Sequence, residues 1–279
     1  MVGQRSLGVR MMVGIVALMG AAAGCDDKSP DAAPPISKPS AQPVATTAPE
    51  PKPSAAPAPA ATVGEMVRIA AGSFQMGSSD GQPDEKPVHR VQVAAFDMDL
   101  TEVTVAAYKA CVESQKCTYP DLDHFCNWDR TGKENHPINC LDWDQATAYC
   151  AAVGKRLPTE EEWEYAARGT DGRPYPWGDP PAPPNLCQGR PTAGTCPADA
   201  VPVDSPFGLR GMAGNVWEWT SSGYSEAYGK KRETERRVYR GGSFYEEKLE
   251  HMRATTRNRR TTNTAFDYIG FRCARSVKK

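Results

Sequence analysis

The sequence predicts an α+β domain that is low in regular secondary structure and stapled by disulfides. Three observations carry this reading. Strand signals and well-capped helices fill the stretch from about Gly64 to Gly169. Beyond Gly169 the periodicity is lost, and prolines and glycines punctuate stretches such as "GRPYPWGDPPAPPN". The third observation is cysteine. Apart from Cys25, eight remain, all in the folded part: Cys111, Cys117, Cys126, Cys140, Cys150, Cys187, Cys196 and Cys273. An even number in an exported chain reads as pairs. Irregular backbone must satisfy its amides through side chains, waters or ions, and covalent staples contribute about 2–4 kcal/mol each.

Export is read from "MVGQRSLGVRMMVGIVALMGAAAGC". Arg5 and Arg10 form a basic region, and an apolar run follows from Met11 to about Ala23. That run falls short of the roughly 20 apolar residues of a membrane span, so a targeting segment is read over an uncleaved anchor helix. The small residues of "AAAGC" lead into Cys25 and resemble the lipobox of bacterial lipoproteins, although Ala22 stands where that pattern prefers Leu. Lipidation at Cys25 and a membrane anchor are therefore expected, with simple secretion as the alternative. Residues 26–63 are nearly all Pro, Ala, Ser and Thr, too poor in large apolar groups to offset the entropy of ordering. They read as a polyproline-rich tether that can reach on the order of 100 Å at about 3.1 Å per residue. The chain thus divides into a signal segment (1–25), a tether (26–63) and a folded domain (64–279).

Within the domain, "MVRIAAGSFQMG" reads as a strand running into a glycine turn, and "PVHRVQVAAFDMDL", with Val91, Val93 and Phe96, as another. "TEVTVAAYKACVES" reads as a helix capped at or near Thr101, with Val105, Tyr108 and Val112 on one face. "DWDQATAYCAAVGKR" places Trp143, Ala146, Cys150 and Val153 in a stripe that Gly154 ends. "LPTEEEWEYAARG" has the clearest start: Thr159 and Glu162 form a capping box, acids fill the first turn, and Gly169 closes the helix. Late strands are expected at "RRVYRGGSF" and "IGFRCAR". Trp143, Trp163, Trp177 and Trp219 are expected in the core.

The net charge of −1 and a pI near 6.4 give no footprint for nucleic acid. The local cluster Arg253, Arg257, Arg259 and Arg260 reads as ion pairs with nearby acids or as a solvated face. No CxxC pair exists, and His89, His124, His136 and His251 lie outside finger spacing from the cysteines, which argues against zinc. No Ser/His/Asp or P-loop pattern points to another enzyme class.

The ordered set "GSFQMGSSD", "DEKPVHRVQVAAFDMDLTEVTVAAY", "HPINCLDWDQATAYCAAVGKRLPTEEEWEYAARG", "YPWG", "FGLRGMAGNVWEW", "RVYRGGSF" and "GFRCAR" spans nearly everything from Met66 to Arg275. It resembles the formylglycine-generating enzyme (sulfatase-modifying factor) family. The resemblance implies a variant of the C-type lectin fold. It also implies oxidation of a sulfatase cysteine with O₂ and a copper(I) ion held by two thiolates, soft ligands suited to that ion. Those thiolates should lie between "GGS" and the "RN" before "GFR". Here the interval holds Glu246 and Leu249 at the expected positions, and no cysteine occurs between Cys196 and Cys273. Copper is therefore not expected.

The resemblance further implies a bridge from Cys150 to Cys273. The remaining six cysteines would then pair by sequence proximity: Cys111 with Cys117, Cys126 with Cys140, and Cys187 with Cys196. A second family bridge would join the positions of Ala167 and Ala254, both non-cysteine here. Calcium is implied at Asn185 and Leu186, and again at Gly214, Val216 and Glu218, where Gly211 stands in place of a side-chain ligand. Trp217 and Ser243 match positions of the substrate groove. These points lead to a lipid-anchored, non-oxidase module of the cell envelope that binds a peptide, protein or glycan. An active oxidase and a structural part of a surface or secretion machine are the alternatives.

Overall fold

Local pairing dominates the start of the domain. The computed structural model describes residues 64–120 and 125–277, so the expected signal segment, Cys25 and the tether lie outside the described residues. Each of the two strands read from the sequence near the start divides in two. Met66–Ile69 (β1) and Gly72–Met76 (β2) replace the first, and His89–Val93 (β3) and Phe96–Asp99 (β4) replace the second. β2 pairs with β3 from Gly72 opposite Val93 to Met76 opposite His89, while β1 pairs with β4 from Met66 opposite Asp99 to Ile69 opposite Phe96. The break has a steric correlate: a Cβ on Gly72 would lie 2.2 Å from the Tyr165 hydroxyl. Only glycine lets that tyrosine pack against the chain where it passes from one sheet to the next.

Three helices follow. Helix α1 (Val105–Glu113) is capped by Thr104, whose hydroxyl accepts from the Ala107 amide at 3.2 Å. The cap is three residues later than Thr101, whose own hydroxyl donates to the Glu102 carbonyl. Helix α2 (Trp143–Ala152) opens on a capping box between Asp142 and Gln145. Ala146, Tyr149 and Cys150 face the core, but Val153 caps the helix and is 44% exposed, so the expected stripe ends one turn early. Helix α3 (Glu160–Arg168) has the expected Thr159–Glu162 box and ends at Gly169 with φ +66°.

The second half supplies Trp217–Gly223 (β5), Arg236–Arg240 (β6), Arg257–Thr261 (β7), Ile269–Gly270 (β8) and Ala274–Ser276 (β9). A four-stranded sheet runs β7-β6-β5-β8, and β9 returns to the first half beside β4. One core cluster joins α1 and α2 to Trp217, Trp219, Tyr239 and Phe271; a second joins β1–β4 to α3 through Trp163 and Tyr165. Trp163 and Trp219 are fully buried, whereas Trp143 and Trp177 are half-buried. Each fully buried large apolar side chain contributes about 1.5–3 kcal/mol.

Four disulfides are formed: Cys111–Cys117, Cys126–Cys140, Cys150–Cys273 and Cys187–Cys196. The third ties α2 to the residue before β9 across a separation of 123 residues, so it constrains the unfolded chain most. Ala167 and Ala254, where the resemblance implies a further bridge, are both fully buried as small apolar residues.

Candidate functional site

The site begins where β6 ends. Gly241 and Gly242 follow Arg240 with φ of +104° and +77°, a region open chiefly to glycine. A Cβ on Gly242 would lie 2.6 Å from the Met252 sulfur and 3.1 Å from the His251 carbonyl. The double glycine thus turns the chain off the sheet and lets the 249–252 turn close over it. The loop beyond is pinned from both sides: the Phe244 amide donates to the Asn215 carbonyl, the Arg190 amide to the Phe244 carbonyl, and the Gly189 amide to the Glu246 carbonyl. The Cys187–Cys196 bridge braces the second of these supports.

This packing brings together side chains distant in sequence. Trp217 Nε1 donates to Glu246 Oε1 at 3.1 Å, and His251 Nδ1 lies 2.6 Å from Glu246 Oε2. Ionised carboxylates only accept, so the imidazole nitrogen facing Glu246 carries a hydrogen. The Tyr245 hydroxyl donates to Asp267 Oδ2 at 2.8 Å. An open basin of about 250 Å³ results, lined by Ser243, Tyr245, Glu246, Asp267 and Tyr268. Aromatic contacts continue from it: Tyr245 packs edge-on to Tyr268, which stacks on Phe266.

Trp217 and Ser243 sit lower than expected for ligand contacts. Trp217 is 3% exposed and packs edge-on to Tyr239, and Ser243 is fully buried with its hydroxyl accepting from the Tyr245 amide. They form the support and floor of the basin. Tyr245, Glu246, Asp267 and Tyr268 present its walls. The available signal was their position, immediately after "GGS" and immediately before "GFR".

Among the described residues the basin holds no soft metal ligand. All eight domain cysteines are bridged, Leu249 packs with a small apolar cluster, and Met252 is buried against Gly242 while His251 turns to Glu246. This donor set does not fit copper(I).

Of the residues expected to hold calcium, Glu218 is committed to partners within the chain. Arg272 grips both oxygens of Glu218, at 2.7 and 2.8 Å, and Trp163 Nε1 donates to one of them at 2.8 Å. A guanidinium already occupies the cation's role beside that carboxylate. In place of a ligand from position 211, the Glu102 carboxylate lies over Gly211, where a Cβ would be 3.0 Å from each oxygen. Burial pushes Glu102 up to about 8 and Asp204 up to about 7, so protonation as well as Arg272 limits the negative charge. At the first expected position Asn185 is an exposed turn residue, and the Leu186 carbonyl accepts from the Gln188 amide. Among the described residues no group of three or more His, Cys, Asp or Glu side chains is arranged to hold a metal.

Comparison with known proteins places the molecule. The family model described as a sulfatase-modifying factor enzyme 1-like domain matches residues 51–277. The chain is 35% identical to the inactive C-alpha-formylglycine-generating enzyme 2 of Bos taurus, over 75% of this chain and 87% of that protein. It is 34% identical to the formylglycine-generating enzyme of Streptomyces coelicolor, over 77% and 90% respectively. Among solved structures, PvdO from Pseudomonas aeruginosa superposes with a TM-score of 0.65 at 28% identity, covering 76% of this chain and 94% of that one.

Proposed function

Because the chain belongs to the sulfatase-modifying factor enzyme 1-like family, we propose that it is a non-oxidase member whose groove binds a peptide in the cell envelope. One observation carries the proposal: every cysteine of the domain is bridged, so none stands free for the positions of the copper-bearing thiolates, which hold Glu246 and Leu249 instead. A negative carboxylate beside the basin also opposes ionisation of a substrate thiol, because like charge raises a thiol's pKa. Identity to the Streptomyces enzyme favours the oxidase as the second reading, but shared fold does not supply the missing thiolates. The purified protein, incubated with a peptide containing CxPxR, copper and reductant, is expected to leave the cysteine intact by mass spectrometry. Conversion to an aldehyde above a metal-only control restores the oxidase.

Location follows from chemistry outside the described residues. The "AAAGC" stretch supports lipid on Cys25, and four disulfides suit an oxidising compartment. Cys25→Ser is expected to move the protein from the membrane to the soluble fraction. Unchanged fractionation would leave simple secretion or an uncleaved anchor.

A further inference from the structure

The sheet beneath the groove ends in β7, and at this edge the charges are not balanced. Of the four arginines between 253 and 260, Arg253 pairs with Glu85 and Arg257 with Glu160. Arg260 stands directly opposite Arg237 of β6, so both side chains share one face of the sheet. Like charges at directly opposed strand positions destabilise a sheet. No carboxylate among the described residues, Glu235 at the head of β6 included, comes within ion-pair distance of either guanidinium. Both lie instead over aromatic rings. Arg237 is 4.2 Å from the Trp143 centroid and Arg260 is 5.2 Å from that of Phe266. The rings hold the cations in place without neutralising them. Arg237 Nη1 donates to the Ser221 carbonyl at 3.2 Å, and its Nε is buried without a partner.

This edge is continuous with the basin. Arg260 lies over Phe266, Phe266 stacks on Tyr268, and Tyr268 lines the basin. The groove is therefore bipolar, with two arginines at one end and Glu246 and Asp267 at the other.

We propose that Arg237 and Arg260 form a carboxylate clamp at the outer end of the groove. The occupant is an extended peptide with an acidic side chain in the clamp and a cationic one in the basin. A guanidinium presents a planar fork of donors matched to a carboxylate. Opposite charge at the two ends fixes the direction in which a peptide lies. The inference rests on the groove being a peptide site, so the test separates the two ideas.

The full-length chain in detergent is titrated calorimetrically with a blocked peptide carrying one lysine and, several residues away, two aspartates. Two comparators replace the aspartates by Asn or the lysine by Gln. Variants are the double change Arg237→Gln and Arg260→Gln, the double change Glu246→Gln and Asp267→Asn, and Arg259→Gln. Arg259 faces the other side of the sheet over Tyr224 and serves as the control. Near-ultraviolet circular dichroism checks that each variant is folded. The wild type is expected to bind the aspartate peptide about tenfold more tightly than its Asn comparator, about 1.4 kcal/mol. R259Q should keep that preference, and R237Q/R260Q should lose it.

Preference retained in the double arginine variant overturns the clamp, as does equal binding of the two peptides by the wild type. If preference for lysine alone survives and depends on Glu246 and Asp267, the groove reading stands and the clamp falls. If aspartate preference depends on the arginines while E246Q/D267N changes nothing, the clamp stands and the basin reading falls. Binding of none of the peptides overturns the peptide as occupant.

Discussion

Two regions of this domain use charge in opposite ways. Around α3, Glu160 and Glu164 are fully buried and engaged by Arg240, Arg257 and Arg168. Glu164 also accepts from the Gly77 amide at 2.8 Å, and Arg240 donates to the carbonyls of Ala254, Thr255 and Thr256. Around the groove, Glu246 meets a half-exposed imidazole, and among the described residues Arg237 and Arg260 meet rings and a backbone carbonyl but no carboxylate. In the first region each charge has a partner inside the chain and joins segments that lack regular structure. In the second, the proposed clamp and basin leave charge for a partner from outside. The contrast teaches that burial and pairing, not residue type, separate architectural charge from functional charge here.

The sharpest way to break this comparison is to remove one architectural charge. Arg240→Ala strips Glu164 Oε2 of its guanidinium and leaves that buried carboxylate Arg168 alone as a cationic partner. It is expected to cost about 3–5 kcal/mol, the range for breaking a buried pair, read as a large fall in the denaturation midpoint. A change under about 1 kcal/mol would show that the network contributes little.

A smaller effect tests the carboxylates held protonated by burial. Asp204 and Glu102 titrate near 7 and 8 in the folded chain, well above their ordinary values. Each keeps a proton that the unfolded chain has already lost, so stability is greatest at low pH and drains away as pH rises through those values. His136 works in the opposite sense, because burial holds its folded value near 4, but its contribution is complete above about its unfolded value of 6.5. The melting temperature is therefore expected to fall between about pH 6.5 and 8, and Glu102→Gln to flatten that slope. Equal slopes in variant and wild type would refute the assignment.

The smallest stability effect is expected in the groove. Glu246→Gln keeps one oxygen to accept from Trp217, its amide nitrogen can donate to the other tautomer of His251, and the site is open. The substitution should change stability by no more than about 0.5 kcal/mol while weakening binding of a lysine-bearing peptide. A loss of several kcal/mol would move Glu246 into the architectural class.

Much of this was legible in the chain itself. The Thr159–Glu162 box, the Gly169 stop and the parity of the cysteines are decided by interactions spanning a few residues or by composition, and a linear reading reaches them. The motif series identified the family, and the absence of cysteine between 196 and 273 is the feature on which the non-oxidase proposal rests. Nearby elements were misread where a tertiary contact intervened. Tyr165, packing at Gly72, marks the point where the first strand divides, and Val153 points outward because the helix ends there.

Only the folded chain decided which charges are spent and which are free. Arg257 and Arg260 are three residues apart in one strand, yet the first meets Glu160 across 97 residues and the second meets a ring. Alternation along a strand sends odd and even distances to opposite faces, but what waits on each face is set by chain returning from far away. Likewise Trp217, Glu246 and His251 become one site because Gly241 and Gly242 let the turn at 249–252 close on the sheet. Capping and periodicity are short-range forces written into neighbouring residues, whereas ion pairing and burial depend on distance in space, which the order of residues leaves open until the chain has packed.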